Sequence, residues 1–279
     1  MIRAVVFDLD GVLLGSEPLW DQARREVVAD NKGHWHDDAT AIMQGMSSLE
    51  WSRYIAEELG VDLSPPEIVD VVVSKLLASY DKGLPLLPGA DDAVRRVAAR
   101  WPLALASSSN RVVIDRVLSV TGWDRYFQAT VSSEEVPKGK PSPDVYLEAA
   151  RRLEKPPELC AAVEDSANGI RSAVAAGLQV VAVPNEAYTP PEGVLMRAEA
   201  VIWDLSQLTA QLLDSLGGGE MISEDLLDQD HPFDEEGDEE GEDGEEGDEG
   251  EEQLDEEEDE SFPASDPHSE WAGPEQTLT

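Results

Sequence analysis

Two carboxylates spaced two residues apart follow the first apolar run of the chain. Asp8 and Asp10 come directly after the run 4–7, and Gly11 then allows the backbone to turn. Residues two apart on an extended strand point to the same side, so both carboxylates can face one crevice. Paired acids repel each other there unless a cation is present, and Mg2+ prefers such oxygen ligands. Asp is also common at strand ends as a turn or capping residue, so this pair alone leaves both interpretations open.

Two further polar positions favour an anion site. Ser107 ends a second apolar run, and its hydroxyl together with the N–H groups of Ser108 to Asn110 is typical of phosphate binding before a helix. Lys140 precedes Pro141 and a predicted helix, where an ammonium group can hold a phosphate and neutralise a nearby nucleophile. An ordinary turn serine and a solvated loop lysine are the alternatives at these positions.

A second pair of acids follows a later apolar run. Glu164 and Asp165 come after the run 160–163 and repeat the arrangement of the first pair. If the runs are neighbouring strands, three or four carboxylates converge, and like charges this close force protonation or destabilise the fold. With Mg2+ they become a coordination shell. Capping of a helix by Asp165 or Ser166 is an alternative that is compatible with metal binding.

The elements that must position these groups alternate between strand and helix. Short apolar runs without polar interruption are typical of strands buried on both faces of a parallel sheet. Repeated strand–helix units predict an α/β fold with a doubly wound, Rossmann-like parallel sheet, whose ligands bind at the carboxyl ends of the strands. Strands are predicted at 4–7, 103–106, 129–132, 160–163, 180–183 and 200–203, and helices at 90–100, 112–120, 142–153, 168–176 and 206–216.

Residues 14–86 interrupt this alternation with helical patterns and are called the helical insert here. Ser16 is predicted to cap its first helix, which continues through Trp20. Further helical patterns lie near 39–43, 49–59 and 66–80. Trp20, Met46 and Trp51 either line a substrate pocket or form the core of the insert, and their helical spacing favours the core for Trp51.

The acidic residues are concentrated at one end of the chain. Of the 60 acidic residues, 28 lie in 217–279, which contains none of the 20 Lys and Arg residues. This segment has too few apolar residues to offset chain entropy, so it is predicted to be a disordered tail. A solubilising role, a basic protein partner and weak binding of divalent ions are all open for it. The acidic surface repels phosphates and argues against a nucleic acid partner.

The single cysteine and the lack of long apolar runs indicate the compartment. Cys160 excludes an intramolecular disulfide and fits a reducing environment, and its apolar neighbours predict a buried thiol rather than a nucleophile. No run approaches the about 20 apolar residues of a spanning helix, and the first run is too short for a signal peptide. We therefore expect a soluble cytoplasmic protein with no membrane partner.

In order and spacing these motifs resemble the haloacid dehalogenase superfamily, in the branch with a helical cap after the first strand. The resemblance covers about residues 1–212 and implies a discontinuous core domain (1–13 and 87–216), a cap domain (14–86) and a tail (217–279) outside the family pattern. The motifs that carry it are Asp8-Leu9-Asp10-Gly11-Val12, the strand ending at Ser107, Lys140-Pro141 and Glu164-Asp165-Ser166.

The resemblance implies a phosphoryl-transfer mechanism. Asp8 would attack the phosphorus and form an aspartyl-phosphate, and Asp10 would protonate the leaving alcohol and then activate water. Electrostatic stabilisation and positioning carry most of the acceleration in such reactions. The implied ligands of Mg2+ are Asp8, the backbone carbonyl of Asp10 and Asp165, with Glu164 in or near the shell, and those of the phosphoryl oxygens are Ser107 and Lys140.

Two stretches of the insert bear on the substrate. The stretch 16–20 looks like that of hexitol and 2-deoxyglucose 6-phosphate phosphatases, and 45–48 is placed like the substrate loop of β-phosphoglucomutases. Those mutases carry Arg where Ser48 stands, and relatives usually have Asp at Gly15. The resemblance thus favours a phosphatase of small phosphorylated sugars or sugar alcohols. The alternatives are a sugar-phosphate mutase and a binding or regulatory protein that acts through the tail.

Overall fold

The computed structural model describes residues 1–43, 46–185 and 189–216. Its centre is a sheet of six strands, all paired in parallel, in the order β3-β2-β1-β4-β5-β6. This order is that of doubly wound α/β folds, with β1 in the middle. The predicted fold class is therefore confirmed. The strands are β1 (Ala4–Phe7), β2 (Leu103–Ser107), β3 (Phe127–Ser132), β4 (Cys160–Glu164), β5 (Gln179–Ala182) and β6 (Ala200–Val201).

Helices cover both faces of the sheet, which explains the uninterrupted apolar strands. Val5 and Phe7 of β1 face one apolar core, whereas Ala4 and Val6 face the other. Cys160 is buried in the second core, as predicted. The helices are α1 (Glu17–Asp30), α2 (Ala39–Met43), α3 (Ser48–Glu57), α4 (Pro65–Tyr80), α5 (Ala90–Ala98), α6 (Arg111–Thr121), α7 (Asp144–Arg152), α8 (Ala167–Ala175), α9 (Glu192–Leu195) and α10 (Ala210–Ser215).

The helical insert leaves and rejoins the chain at one place. Leu14 and Leu86 form an antiparallel bridge. The N–H of Gly15 donates to the carbonyl of Pro85 at 2.8 Å, and the N–H of Leu87 donates to that of Leu13 at 3.0 Å. Between these paired ends, α4 packs against both α1 and α3. That 14–86 forms a separate cap domain stays a prediction.

Two predicted helix caps are wrong in their chemistry. Ser16 does stand at the N-cap of α1, but its hydroxyl does not cap the helix and donates instead to Oδ1 of Asp10, at 2.5 Å. The N-cap position of α7 is occupied by Pro143, and the hydroxyl of Ser142 donates to Oδ1 of Asp144. By contrast, Ser166 caps α8 by accepting from the N–H of Gly169, as one of the two predicted alternatives had it.

The last predicted strand and helix are shorter than expected. β6 ends at Val201, because the N–H of Trp203 donates to the side chain of Gln207 rather than to a neighbouring strand. A 3-10 turn at Leu205–Gln207 follows, so α10 begins only at Ala210. Edge elements of this kind depend on such local contacts, which apolar periodicity does not report.

The remaining sequence predictions concern the tail and membranes. Residues 217–279, predicted to be a disordered acidic tail, lie outside the described residues. Among 1–43, 46–185 and 189–216, none of the helices is both long enough and apolar enough to pass through a bilayer.

Candidate active site

The polar residues that follow β1, β2 and β4 meet at one edge of the sheet. β1 lies between β2 and β4, so their carboxyl ends are adjacent. Asp8, Glu164 and Asp165 come from these ends, and Lys140 comes from the loop before α7. All four side chains are buried. The sheet topology thus brings together groups that lie far apart in the sequence.

Lys140 is the buried cation of this cluster. Its Nζ donates to Oδ1 of Asp8 at 2.6 Å, to Oε1 of Glu164 at 2.5 Å and to the carbonyl of Ala106 at 3.1 Å. Burial alone would lower the pKa of Lys140, but the carboxylates of Asp8 and Glu164 outweigh burial and raise this pKa above its ordinary value. The ammonium group therefore stays charged, and its donors hold it against the carboxylate of Asp8.

The carboxylates of Asp8, Glu164 and Asp165 form a cluster that fits a divalent cation. One oxygen of each lies within 4.8 Å of the others. Burial raises the pKa of Asp8 to about 8; Lys140 opposes this rise, and Glu164 and Asp10 add to it. Burial, with repulsion from Glu164 and Asp8, also raises the pKa of Asp165 well above its ordinary value. A bound cation would remove this repulsion, and hard oxygen ligands suit Mg2+.

Gly11 makes room for this cluster. Its φ of +84° lies in the left-handed region, and a Cβ at this position would meet Oδ2 of Asp165 at 1.9 Å. Any other residue would therefore be strained in its backbone and would displace Asp165. The turn after β1 is consequently shaped to admit the carboxylate from β4.

Glu164 is occupied by hydrogen bonds at both carboxylate oxygens. Oε1 accepts from Lys140 and, at 2.8 Å, from the hydroxyl of Tyr146. Oε2 accepts from the N–H groups of Asp165 at 3.0 Å and Ser166 at 3.2 Å. These bonds fix Glu164 where it orients Lys140. Its role as a metal ligand stays a prediction.

The carboxylate of Asp10 is bound by hydrogen-bond donors from the insert and from the end of β2. Oδ1 accepts from the hydroxyl of Ser16 and, at 3.3 Å, from the indole N–H of Trp20. Oδ2 accepts from the hydroxyls of Ser109 at 2.6 Å and Ser107 at 3.4 Å. Four donors thus hold the side chain of Asp10, which is not one of the three clustered carboxylates, and its acid–base role stays a prediction. The predicted metal contact through its backbone carbonyl stays a prediction.

The predicted anion site after β2 is only partly as expected. Ser107 is fully buried, and its hydroxyl accepts from the N–H of Ser109 at 3.0 Å. That N–H is therefore not free for an anion, contrary to the sequence-based expectation. Ser108 and Ser109 line the cleft in front of Asp8, whereas Ser107 lies behind them.

Asn110 joins the insert to the core instead of facing the cleft. Its Oδ1 accepts from the hydroxyl of Ser48 at 2.8 Å, and its Nδ2 donates to Oε1 of Glu134 at 2.6 Å. Because the side-chain amide is committed to these two partners, a contact with phosphate would have to come from the backbone. The predicted phosphate-binding role of Asn110 has no side-chain support.

The insert supplies the other wall of the cleft. Sequence reasoning considered Trp20, Met46 and Trp51 for this wall, and they do line it, although Trp51 is also almost fully buried in the core. It missed Glu17 and Arg24, which stand seven residues apart on α1. That spacing of two helical turns on a face with Trp20 was the available signal. The residues lining the cleft from the insert are Glu17, Trp20, Arg24, Met46, Ser48 and Trp51.

The fold and the site define a hydrolase family. The chain matches the family model of haloacid dehalogenase-like hydrolases over residues 2–177. It therefore belongs to the haloacid dehalogenase-like hydrolases.

Three similar proteins mark the chain's place in this family. Hexitol phosphatase B of Escherichia coli (strain K12) is 34% identical over 77% of this chain and 97% of its own length. The bifunctional riboflavin kinase/FMN phosphatase of Arabidopsis thaliana is 35% identical over 65% of this chain, which spans only 48% of that longer protein. The crystal structure of CbbY from Rhodobacter sphaeroides in complex with phosphate has a TM-score of 0.69 and 26% identity, covering 77% of this chain and 100% of CbbY.

Proposed function

We propose that this protein is a Mg2+-dependent phosphatase that releases phosphate from small phosphorylated sugars or sugar alcohols through an aspartyl-phosphate on Asp8. The observation that carries the proposal is the buried contact between Asp8 and Lys140, beside a carboxylate cluster that fits a divalent cation. Similarity to Hexitol phosphatase B supports the sugar-alcohol substrate class.

Asp8 and Asp10 divide the chemistry between them. An oxygen of Asp8 forms a bond to phosphorus as the bond from phosphorus to the leaving oxygen breaks, and Asp10 gives its proton to that oxygen. In the second step Asp10 takes a proton from water, the water oxygen bonds to phosphorus, and the bond to Asp8 breaks. The carboxylate of Asp8 and inorganic phosphate result. Hydrogen bonds fix the position of the Asp10 carboxyl group, and three of its four partners are hydroxyls, which can turn to accept when Asp10 carries the proton.

Lys140 and the carboxylate cluster support the charge changes of these steps. The ammonium group of Lys140 offsets the negative charge that gathers around Asp8 when a phosphate approaches. Mg2+, held by Asp8, Asp165 and the carbonyl of Asp10 with Glu164 in or near the shell, would supply further neutralisation of the phosphoryl oxygens. Ser108 lines the same cleft, and its hydroxyl can donate to those oxygens, whereas the hydroxyl of Ser109 donates to Asp10.

Ser48 favours a phosphatase over a sugar-phosphate mutase. The β-phosphoglucomutases that the chain resembles carry Arg at this position to hold a distal phosphate. Here the position carries a hydroxyl, which donates to Asn110 and so belongs to the contact between the insert and the core. The exchange of a bisphosphate intermediate therefore lacks its expected support at Ser48.

Phosphate release from sugar, polyol and nucleotide monophosphates, measured with Mg2+ and with EDTA, tests the proposal. We expect release only with the metal and a loss of about a thousandfold or more in Asp8→Asn, because the amide cannot act as the nucleophile. Asp70→Asn, at an exposed position on α4, is the matched control and should keep full activity. Undiminished release by Asp8→Asn would overturn the mechanism, and conversion of glucose 1-phosphate to glucose 6-phosphate would indicate the mutase.

A further inference from the structure

Arg24 is a buried cation on the wall of the cleft opposite the predicted nucleophile. It lies on α1, is 7% exposed, and lines the same cleft as Asp8 and Lys140. Within 1–43, 46–185 and 189–216 it forms no hydrogen bond or ion pair, and its buried Nε has no hydrogen-bond partner. A buried donor without an acceptor is unfavourable. Of the guanidinium nitrogens of Arg24 only Nε is both fully buried and unpartnered, so Nη1 and Nη2 are the donors that an acceptor entering the cleft would meet.

Two indole rings hold the guanidinium in place. Its Cζ lies 5.3 Å from the ring centre of Trp20 and 5.1 Å from that of Trp51. Cation–π contacts of this length stabilise the charge without using the N–H donors, which stay available in the plane of the group. Since one ring comes from α1 and the other from α3, the packing of the insert itself fixes the direction of these donors.

The acids around Arg24 indicate which ligand group fits. Glu17 lines the same cleft, and the side chain of Asp10 stands beside it. A second anionic group on the ligand would meet Arg24 but would be repelled by both carboxylates, and an amine would be repelled by Arg24. A hydroxyl group fits both sides, because its oxygen accepts from the guanidinium while its proton is donated to a carboxylate.

We propose that Arg24, with Glu17, forms a leaving-group subsite that recognises the hydroxyl groups of a polyol or sugar chain. This inference rests on the proposed phosphatase function, in which the ester oxygen faces Asp10 and the rest of the leaving group extends toward the insert. Met46 and Trp51, which line the same wall, provide apolar surface for the carbon chain between the hydroxyls.

A matched pair of substrates tests the subsite. Sorbitol 6-phosphate and hexyl phosphate have the same number of carbon atoms and are both esters of a primary alcohol, but only the first carries hydroxyls along its chain. We expect the unaltered protein to have the higher kcat/KM for sorbitol 6-phosphate. Arg24→Met keeps a long side chain between the indole rings and should reduce that preference about tenfold, mainly through KM, because hydrogen bonds to a charged group are lost.

Neighbouring variants separate recognition from folding. Arg25→Met is the matched control, since Arg25 lies on the same helix but pairs with Asp21 and stacks on Trp35 outside the cleft. It should leave the preference unchanged. Glu17→Gln should also weaken the preference for sorbitol 6-phosphate. If both residues contact the same hydroxyls, the double variant Arg24→Met/Glu17→Gln should lose less of this preference than the sum of the two single effects.

Four outcomes would overturn the subsite. The first two are equal kcat/KM values for the two substrates in the unaltered protein and an unchanged preference in Arg24→Met. The third is an equal loss of preference in Arg25→Met. The fourth is that Arg24→Met lowers kcat/KM only for 6-phosphogluconate, which carries a second anionic group. In each of these cases phosphate is still released, so the phosphatase itself would stand. Release from none of the substrates, by contrast, would contradict the proposed function.

Discussion

At the scale of single residues, the raised pKa values of Asp8 and Asp165 make the free energy of unfolding depend on pH. In the folded chain the pKa of Asp8 is about 8, against an ordinary value of 3.8. Without metal, the folded chain therefore keeps a proton that the unfolded chain releases as the pH rises above about 4. The contribution of Asp8 to the free energy of unfolding is full below about pH 4 and is lost as the pH rises through about 8.

A divalent cation bound by the carboxylate cluster would compete with this proton, which leads to a prediction for thermal unfolding. The gain in Tm on adding millimolar Mg2+ should be small near pH 5 and larger near pH 8, because more of the cluster is free to bind the cation. Scans of the metal-free and Mg2+-loaded protein across this range measure the gain. Asp165→Asn should lose most of it. A gain of the same size at every pH would contradict the arrangement.

The residues of the site differ in how far sequence alone could locate them. Asp8, Lys140 and Glu164 stand next to apolar strands or predicted helices, so spacing and parallel topology suffice to bring them together. Arg24 could not be assigned this way, because its position depends on how α1 packs against Trp51 of α3. The side-chain contact of Asn110 could not be predicted either, since its partner Ser48 is 62 residues away in the sequence; the predicted phosphate contact of Asn110 stays a prediction.

At the scale of elements, one hydrogen bond links the start of α3 in the insert to the start of α6 in the core. It runs from the hydroxyl of Ser48 to Asn110, and Asn110 makes no side-chain capping bond to its own helix. Removing the hydrogen bond between Ser48 and Asn110 should therefore weaken the contact between insert and core without removing a side-chain cap from α6. Such a bond contributes about 1 kcal/mol, equivalent to a change of about fivefold in an equilibrium.

A double-mutant cycle tests this contact. We expect Ser48→Ala and Asn110→Ala each to lower kcat/KM up to about fivefold, because the closed cleft is less favoured. The double variant should be no worse than Asn110→Ala, since that variant already lacks the bond to Ser48 as well as the bond to Glu134. Additive losses would show that the two residues act separately and would contradict a shared contact.

Strands and helices of the core were largely predictable, and the reason is physical. β1 and β4 are covered on both faces, so burial alone dictates their apolar sequences. β6 and α10 lie at the sheet edge and near the end of the described chain, where the side chain of Gln207 and a 3-10 turn decide the boundaries. Patterns of apolar residues carry no information about such contacts.

At the scale of the whole molecule, the charge of 217–279 should act on substrates through its field. This segment holds 28 of the chain's 60 acidic residues, so it adds strongly to the negative potential that a phosphorylated substrate must approach. The family model matches residues 2–177, so 217–279 lies outside the matched part of the chain.

Deleting 217–279 while keeping Leu216, which is buried in the core, tests this effect. The shortened chain should show a lower KM for anionic substrates at low ionic strength and an unchanged kcat. The difference should vanish above about 0.15 M salt, where screening shortens the range of the field to about 8 Å. A full-length chain with Asn and Gln in place of the acids of 234–260 is the control and should behave like the shortened one. Equal KM values at low salt would exclude the effect.

The paired ends of the helical insert have a consequence for how this protein could diversify. Leu14 and Leu86 lie side by side, so the chain leaves the core and returns to it at a single place. The groups proposed for bond making and breaking stay in the core, and those proposed for substrate choice stay in the insert. A recombination event with crossovers at these two positions would therefore exchange the residues of substrate choice together, and an incoming segment that keeps Ser16 and Trp20 would retain their hydrogen bonds to Asp10. Gene duplicates could acquire new substrates by this route without passing through inactive ancestors.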